Sequence, residues 1–319
     1  MKILIIKLGA LGDIITSTSI IKQITQHHKN DEISLLTSSE FAYLFSNFAE
    51  LNDVSFNRKT LSSKVKSILW IRKKQFDRVY DLQSNDRTTL YCALSGSPFR
   101  AGNHPRFPYH VHPKTKYMGE CHSFDRLNQI LESANIEKAA PRPFLTITDE
   151  IIDEVTKWLN EKNLTDKPFV LLHAGSSPMH LQKRWPFFSE LAAALNECYS
   201  IIWIGGNDDI ELNRSLSKDI GIDATNKFSI LALAQLGKNA AFAVTNDSAP
   251  MHILSCSEIP VFGLFGPTYA RRTHALGQMD NVITAQKEIA KNDQGFIPDN
   301  ISNISVDKVV NKLKEQGLL

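Results

Sequence analysis

The 319-residue sequence has few features that would place it outside ordinary globular proteins. It contains no run of about 18 apolar residues, the length that a membrane-spanning helix needs. Its four cysteines lie far apart, without the spacing of a metal site or a disulfide framework, which favours reduced thiols in the cytosol. Lys7 and Asp13 interrupt the apolar N-terminus, which is typical of a buried first strand and not of a secretory signal.

Two further absences concern nucleotides and their metals. No D-x-D triplet occurs, although this carboxylate pair commonly holds a divalent metal on a nucleotide diphosphate. The dinucleotide fingerprint G-x-G-x-x-G is also missing, because the opening loop has only Gly9-x-x-Gly12. The sequence therefore predicts no metal ion or other cofactor, and it disfavours an NAD-dependent enzyme.

The net charge of +2 is small, but the charge is unevenly distributed. Residues 57–74 contain seven basic side chains and no acidic one, and residues 96–118 contain four basic side chains, three histidines and again no acid. One interpretation is the solvated face of an amphipathic helix, predicted over Leu61–Lys74, followed by a polar loop. The alternative is a basic surface for phosphorylated or carboxylated acceptors at an anionic membrane.

Short apolar runs alternate with helical patterns along the whole chain. The run Lys2–Ile6 is typical of a buried parallel strand, and a second series of strands and helices starts at Pro168–His173. This alternation predicts an α/β fold with two doubly wound parallel sheets. We expect domains at 1–162 and 163–319, with a linker near Asn160–Lys167, a last helix that packs back on the first domain, and a ligand site in the cleft between the domains.

The first candidate site is the loop Lys7–Ile14, in which Gly9 and Gly12 follow a strand and open a helix. Glycine at these places allows a tight turn and a close approach of the backbone to a ligand. Asp13 is either a helix cap or a general base at the carboxyl end of a strand. The residues alone leave these two interpretations equal.

Three later segments each join a strand to a helix. In the segment 173–186, small residues and Lys183 suit a phosphate. In the segment 205–211, Asp209 or Glu211 suits a ribose, although acidic residues are also common in the first turn of a helix.

The last segment runs from 244 to 268. Backbone N–H groups of Ser248 and Ala249 could hold a diphosphate, and Asn246 or Asp247 is expected to cap the helix. His252 lies one turn into that helix and is either a packed or a binding residue. A further contact could come from Gly266 and Thr268.

These segments, in this order, resemble glycosyltransferase family nine, the ADP-heptose:lipopolysaccharide heptosyltransferases. The matching stretches cover almost the whole chain and include KILIIKLGALGDII, HAGSSPMHLQKRWP, WIGGNDD and TNDSAPMHILSCSEIPVFGLFGPT. The resemblance implies a GT-B fold, with two Rossmann-like domains that face a central cleft, the acceptor on the first domain and the donor on the second.

The resemblance also implies an inverting, metal-independent transfer from ADP-heptose to an anionic glycolipid acceptor of the lipopolysaccharide core. The enzyme would be cytoplasmic, either free or in peripheral contact with the inner membrane. It implies that Asp13 is the general base, that Lys183 binds the donor diphosphate, and that Asp209 lies near the ribose, with Glu211 as the alternative. The donor loop would contain Asp247, Ser248, Ala249, His252, Gly266 and Thr268. Gly9 and Gly12 would form the loop on the acceptor side. The alternatives are a transferase of the same fold with another nucleotide-sugar or glycan acceptor, and a non-catalytic nucleotide-sugar-binding protein.

Overall fold

The computed structural model describes residues 1–56, 60–117, 119, 121–164, 167–285 and 298–319. Parts of both basic segments (57–59 and 118) and of the expected linker (165–166) lie outside the described residues. Contacts between Cα atoms divide the chain into two compact units, Met1–Thr146 and Ile147–Leu319. This division lies earlier in the chain than the boundary expected from the sequence. No helix in the described ranges is long and apolar enough to cross a membrane.

Unit 1, residues 1–146, is a parallel sheet with helices between its strands. Its strands are β1 (Lys2–Ile6), β2 (Glu32–Ser38), β3 (Asn52–Phe56), β4 (Arg78–Asp81) and β5 (Phe99–Ala101). Its helices are α1 (Leu11–His27), α2 (Leu61–Lys74), α3 (Asp86–Leu94) and α4 (Ser123–Ser133). In the described residues the strand order is β3-β2-β1-β4-β5. The winding reverses between β1 and β4, which is where ligands bind in such sheets.

Local sequence explains why the elements of unit 1 begin and end where they do. Residues 3–6 of β1 are all fully buried, as expected for a central strand covered on both faces. Helix α2 has its predicted bounds: the Thr60 hydroxyl accepts a hydrogen bond from the N–H of Ser63 at 3.3 Å, and Gln75 ends the helix in a left-handed conformation. The loops that follow β1 and β4 both start from buried strand residues.

Unit 2, residues 147–319, repeats this plan with a longer sheet. Its strands are β6 (Phe169–His173), β7 (Ser200–Trp203), β8 (Ile222–Asp223), β9 (Ala243–Asn246), β10 (Val261–Phe265) and β11 (Val282–Thr284). Its helices are α5 (Asp149–Glu161), α6 (Phe188–Leu195), α7 (Ile210–Leu216), α8 (Ile230–Gly237), α9 (Ala249–Leu254), α10 (Ala270–Thr273) and α11 (Val306–Glu315). The described strands are ordered β11-β10-β9-β6-β7-β8, so the reversal lies between β6 and β9.

Two apolar layers cover the faces of the unit 2 sheet. Alternate residues of β6 belong to different layers, with Phe169 and Leu171 in one and Val170 and Leu172 in the other. Helix α5 packs in the first layer, so it belongs to unit 2. The sequence had predicted it in the first domain. Helix α11 packs in the second layer of unit 2 through Val309 and Leu313. The expectation that this helix packs back on the first domain stays a prediction.

The prediction of an α/β fold with two doubly wound parallel sheets is confirmed. Strands β5, β8 and β11 were not predicted; each is two or three residues long and lies at a sheet edge, where a continuous apolar run is not required. The predicted cap of α9 was wrong. Ser248 is the N-cap residue and makes no side-chain capping bond, because its hydroxyl contacts His173 and the carbonyl of Asn246 instead. The Asn246 and Asp247 side chains bind other groups.

Candidate active site

The loop after β1 is fixed from several sides. The backbone N–H groups of Leu8 and Gly9 donate to the side-chain carbonyl of Gln83, at 3.0 and 3.1 Å. The Ser38 hydroxyl donates to the carbonyl of Leu8. Gly9 has φ = +145°, a conformation that residues with a Cβ rarely adopt, which explains this glycine. Gly12 lies within the first turn of α1 rather than in the loop.

Asp13 stands at the third position of α1 and is exposed. One of its carboxylate oxygens accepts a hydrogen bond of 3.3 Å from the N–H of Ala10, the residue before the helix. The side chain therefore closes the first turn of α1 and also presents a carboxylate to solvent. The cap and general-base interpretations are compatible, because a carboxylate has two oxygens.

A cavity of 430 Å³ opens at the switch point of unit 1. Its lining combines the loop after β1 with the loop after β4 and the start of α3: Leu8, Gly9, Ala10, Gln83, Asn85, Asp86 and Arg87. These two loops follow neighbouring strands of the sheet. The cavity therefore lies where a doubly wound sheet offers its ligand site.

A buried carboxylate supports the loop after β4, which lines this cavity. Asp81, the last residue of β4, is fully buried and accepts hydrogen bonds from the N–H groups of Gln83 and Ser84 and from the Tyr109 hydroxyl, at 3.0, 2.8 and 2.6 Å. Burial raises the pKa of Asp81 above its ordinary value, although these hydrogen bonds act in the opposite direction. Asp81 thus positions Gln83, which in turn holds the loop after β1.

Lys7 is the second buried polar group beside this loop. Its ammonium group lies 3.3 Å from the carbonyl of Leu82. Burial lowers the pKa of Lys7, while the charges of Asp13 and Asp81 act in the opposite direction. A positive charge on Lys7 would therefore be stabilised by the carboxylates of Asp13 and Asp81.

In unit 2, Lys183 and Asp247 form the shortest side-chain ion pair of the predicted donor segments. The Lys183 ammonium lies 2.6 Å from one carboxylate oxygen of Asp247, and the Thr268 hydroxyl donates to the same oxygen at 2.8 Å. Asp247 is buried, whereas the Lys183 side chain is 18% exposed. Three residues that lie up to 85 positions apart thus meet beside the loops after β6 and β9, and their cation is partly exposed.

A second cluster joins the other donor segments. The His173 ring lies 3.0 Å from the Ser248 hydroxyl through Nδ1 and 3.4 Å from the Asp209 carboxylate through Nε2. Asp209 also accepts from the N–H of Gly206 at 3.0 Å and from Arg184 at 3.3 Å. Burial raises the pKa of Asp209, but His173, Gly206 and Arg184 together outweigh that effect and lower it below its ordinary value.

Close packing explains the small residues of these loops. A Cβ on Gly175 would overlap the Asp209 carboxylate, and a Cβ on Gly266 would lie 2.6 Å from the backbone of Ile301. The amide of Asn246 donates to the carbonyls of Ala174 and Gly175 at 2.9 and 3.0 Å and accepts from the N–H of Trp185 at 3.1 Å. Asn246 therefore binds the loop after β6 to the loop after β9.

The structure separates some predicted site residues from these clusters. Glu211 is highly exposed and pairs with Arg214 at 2.7 Å, so it does not join Asp209. Ala249 begins α9, and His252 lies one turn later and is half-buried. Gly266 is close to Ile301, so packing alone accounts for this glycine.

Asp81, Gln83 and His173 were not among the site residues predicted from the sequence. Asp81 and His173 share a recognisable signal, since each is a polar residue that ends a buried parallel strand. A polar side chain in that place needs a partner at the carboxyl edge of the sheet. Gln83 carried no comparable signal in the sequence.

The model of glycosyltransferase family 9 (heptosyltransferase) matches residues 66–295 of the sequence. The chain belongs to glycosyltransferase family 9. It is therefore a glycosyltransferase, and the resemblance noted in the sequence is confirmed.

Individual relatives cover nearly the whole of this family 9 chain. The lipopolysaccharide core heptosyltransferase OpsX of Haemophilus influenzae is 21% identical, and the match covers 98% of this chain and 96% of the relative. A solved family 9 glycosyltransferase from Veillonella parvula superimposes with a TM-score of 0.82 at 20% identity, over 98% of this chain and 96% of that one. Escherichia coli heptosyltransferase WaaC with ADP gives 0.73 at 16% identity, over 99% of each chain. These likenesses establish the GT-B fold.

In the parts of this family 9 chain that the structure describes, no group of three or more histidine, cysteine or carboxylate side chains is placed to hold a metal ion. The charges at the candidate donor site are those of Lys183, Arg184, Asp209 and Asp247.

Proposed function

We propose that this glycosyltransferase moves a heptose from ADP-heptose to an acceptor of the lipopolysaccharide core. The proposal rests on the partly exposed ammonium group of Lys183, which meets Asp247 beside the loops after β6 and β9. It is supported by the heptosyltransferases that the chain resembles, one of which was solved with ADP. A diphosphate needs a cation of this kind, because negative charge develops on it as the sugar departs.

We further propose that the transfer is inverting and needs no metal ion. A single displacement requires a base for the acceptor hydroxyl and stabilisation of the leaving group. Asp13 is exposed beside the cavity of unit 1 and would act as the base. Lys183, with the N–H groups at Ser248 and Ala249, would stabilise the departing ADP in place of a metal.

The remaining donor residues receive distinct roles in this proposal. Asp247 would orient Lys183 through their ion pair, and Thr268 would fix Asp247, because its hydroxyl donates to the same carboxylate oxygen. Asp209 would shape the donor loop, because Gly206, Arg184 and His173 already occupy its oxygens. Glu211, whose highly exposed carboxylate pairs with Arg214 through one oxygen, is our candidate for the ribose.

His252 and Gly266 would line the sugar end of the donor site, together with Thr268. Gly9 and Gly12 would let the acceptor approach the backbone of the loop that carries Asp13. The enzyme would work in the cytoplasm, in peripheral contact with the inner membrane that holds its acceptor.

The first experiment is a calorimetric titration of the purified protein with ADP, GDP, UDP and NAD, without added metal. We expect selective binding of ADP. A transfer assay with ADP-heptose and lipopolysaccharide core acceptors then follows, with Asp13→Asn as the variant. We expect Asp13→Asn to bind ADP as the wild type does and to transfer about 10²–10⁴-fold more slowly.

Other results would redirect the proposal. Preference for UDP or GDP would keep the transferase and change its donor. Binding of ADP-heptose without transfer to any acceptor would favour a non-catalytic binding protein. Full activity in Asp13→Asn would remove the proposed base, and a requirement for a divalent metal would contradict the metal-independent mechanism.

A further inference from the structure

Helix α2 of unit 1 exposes a row of aliphatic side chains. Leu61, Val65 and Leu69 are 75%, 51% and 62% exposed. Their spacing of four residues places them along one side of the helix. Ser67 and Ile71 lie on the opposite side and are buried against the unit. The aliphatic row is therefore turned outward, where a monomeric protein usually carries polar side chains.

Positive charges accompany this row. Lys66, Arg72 and Lys73 are exposed, and α2 contains no acidic residue. With about 100° of rotation per residue, the three aliphatic and three basic side chains share a face of roughly 140°. Aliphatic groups bordered by lysine and arginine are the pattern of a helix that lies in a lipid interface.

Helix α3 extends the same surface towards the cavity. The Arg72 guanidinium donates to the carbonyl of Leu94 at 3.3 Å, which joins the two helices. Leu90 and Leu94 are both exposed, and Arg87 lies on the same side of α3 at a spacing of three and seven residues. Arg87 also lines the cavity of 430 Å³ at the switch point. The apolar surface therefore runs up to the cavity.

We propose that the outward faces of α2 and α3, which we call the α2–α3 face, dock on the surface of an anionic lipid bilayer. The docked enzyme receives the head group of a lipid-linked acceptor at the cavity bordered by Arg87. This inference rests on the proposed function, because it assumes an acceptor that is held in a membrane.

Charge complementarity favours lipid over a protein partner. Each basic residue near an anionic membrane strengthens binding about fivefold, and the α2–α3 face presents three such residues on α2. The aliphatic side chains add affinity by leaving water for the acyl boundary. A protein-binding surface would instead be expected to combine its apolar residues with aromatic anchors at a central pocket.

The test measures sedimentation of the full-length protein with vesicles of phosphatidylcholine, alone or mixed with phosphatidylglycerol. We expect binding only to the mixed vesicles, weakened by salt. Val65→Ser with Leu69→Ser, and separately Lys66→Glu with Lys73→Glu, should each reduce binding at least about tenfold. The matched control is Ile152→Ser with Lys157→Glu on α5, an exposed pair of the same kind in unit 2, which should bind as the wild type does.

A second readout separates this inference from the proposed function. Every variant should bind ADP normally and transfer normally to a delipidated core oligosaccharide, while the α2 variants lose transfer to acceptor embedded in vesicles. Absence of vesicle binding by the wild type, or equal loss in the α5 control, would overturn the docking surface. Concentration-dependent dimerisation that the α2 substitutions abolish would assign the face to a second copy of the chain instead. Failure of transfer to every acceptor would count against the proposed function and leave vesicle binding as an independent result.

Discussion

Removal of the Lys183 charge tests the donor site most directly. Lys183→Met keeps the length and the apolar stem of the side chain and deletes the ammonium group that contacts Asp247 at 2.6 Å. A hydrogen bond to a charged group contributes about 1.5–3 kcal/mol. A bound diphosphate competes with Asp247 for the same ammonium, so we expect the lower part of this range and a loss of ADP affinity of about 10- to 30-fold.

The same change has a calculable effect on stability. It leaves the buried carboxylate of Asp247 without its cation, but the Thr268 hydroxyl still donates to it at 2.8 Å. Lys183 is 18% exposed, so water replaces part of the lost interaction. We therefore expect a loss of about 1–3 kcal/mol in the free energy of unfolding, less than for a fully buried pair.

Calorimetric titration with ADP and with adenosine separates the loss of a diphosphate contact from general damage to the pocket. Only ADP carries the diphosphate, so Lys183→Met should weaken ADP and leave adenosine unchanged. Lys183→Arg should retain most of the ADP affinity, and Lys157→Met, an exposed lysine on α5, serves as the control. An equal loss for adenosine and ADP would show that the substitution damages the pocket generally, and unchanged ADP affinity would refute the role of Lys183.

Three further predictions concern the supports of the two sites. The pKa of Asp209 is lowered in the folded protein, so its ionised form adds stability above the unfolded pKa of about 4. Asp209→Asn should therefore lower the melting temperature near neutral pH, and the difference from wild type should shrink as the pH falls below 4; a constant difference would contradict this cause. Tyr109→Phe removes the hydroxyl that donates to buried Asp81 at 2.6 Å and should cost about 1–3 kcal/mol in chemical unfolding, and an unchanged midpoint would refute the importance of that contact. Gly266→Ala places a Cβ 2.6 Å from the backbone of Ile301 and should cost about 1–3 kcal/mol, whereas Gly206→Ala meets nothing within 4 Å and should stay within about 0.5 kcal/mol; equal effects would contradict the packing argument.

The sequence predicted elements best where burial leaves a continuous signal. Strand β1 and helix α2 had their predicted bounds, because a central parallel strand is apolar on both faces and an amphipathic helix has a clear period. The edge strands β5, β8 and β11 were missed because two or three residues carry no periodicity. The boundary between the units was also displaced, since the amphipathic pattern of α5 shows that the helix packs but not on which sheet.

The residues of the two candidate sites were likewise predicted only in part. The strand–loop–helix junctions that carry Asp13, Lys183 and Asp247 were visible in the sequence, because glycine and small polar residues after an apolar run mark them. The sequence did not decide between Asp209 and Glu211. In the structure, Asp209 is buried and contacts His173 and Arg184, whereas Glu211 pairs with Arg214 at the surface.

The sequence by itself determined the α/β class, the two sheets and the loops in which chemistry is concentrated, because these depend on patterns within a few turns or strands. Only the tertiary structure decided which of those side chains meet. Lys183 reaches Asp247, and His173 reaches Ser248, across separations of more than 60 residues. Parallel strands bring the ends of distant segments to one edge of a sheet, and the order of the strands, which no local pattern records, selects the neighbours.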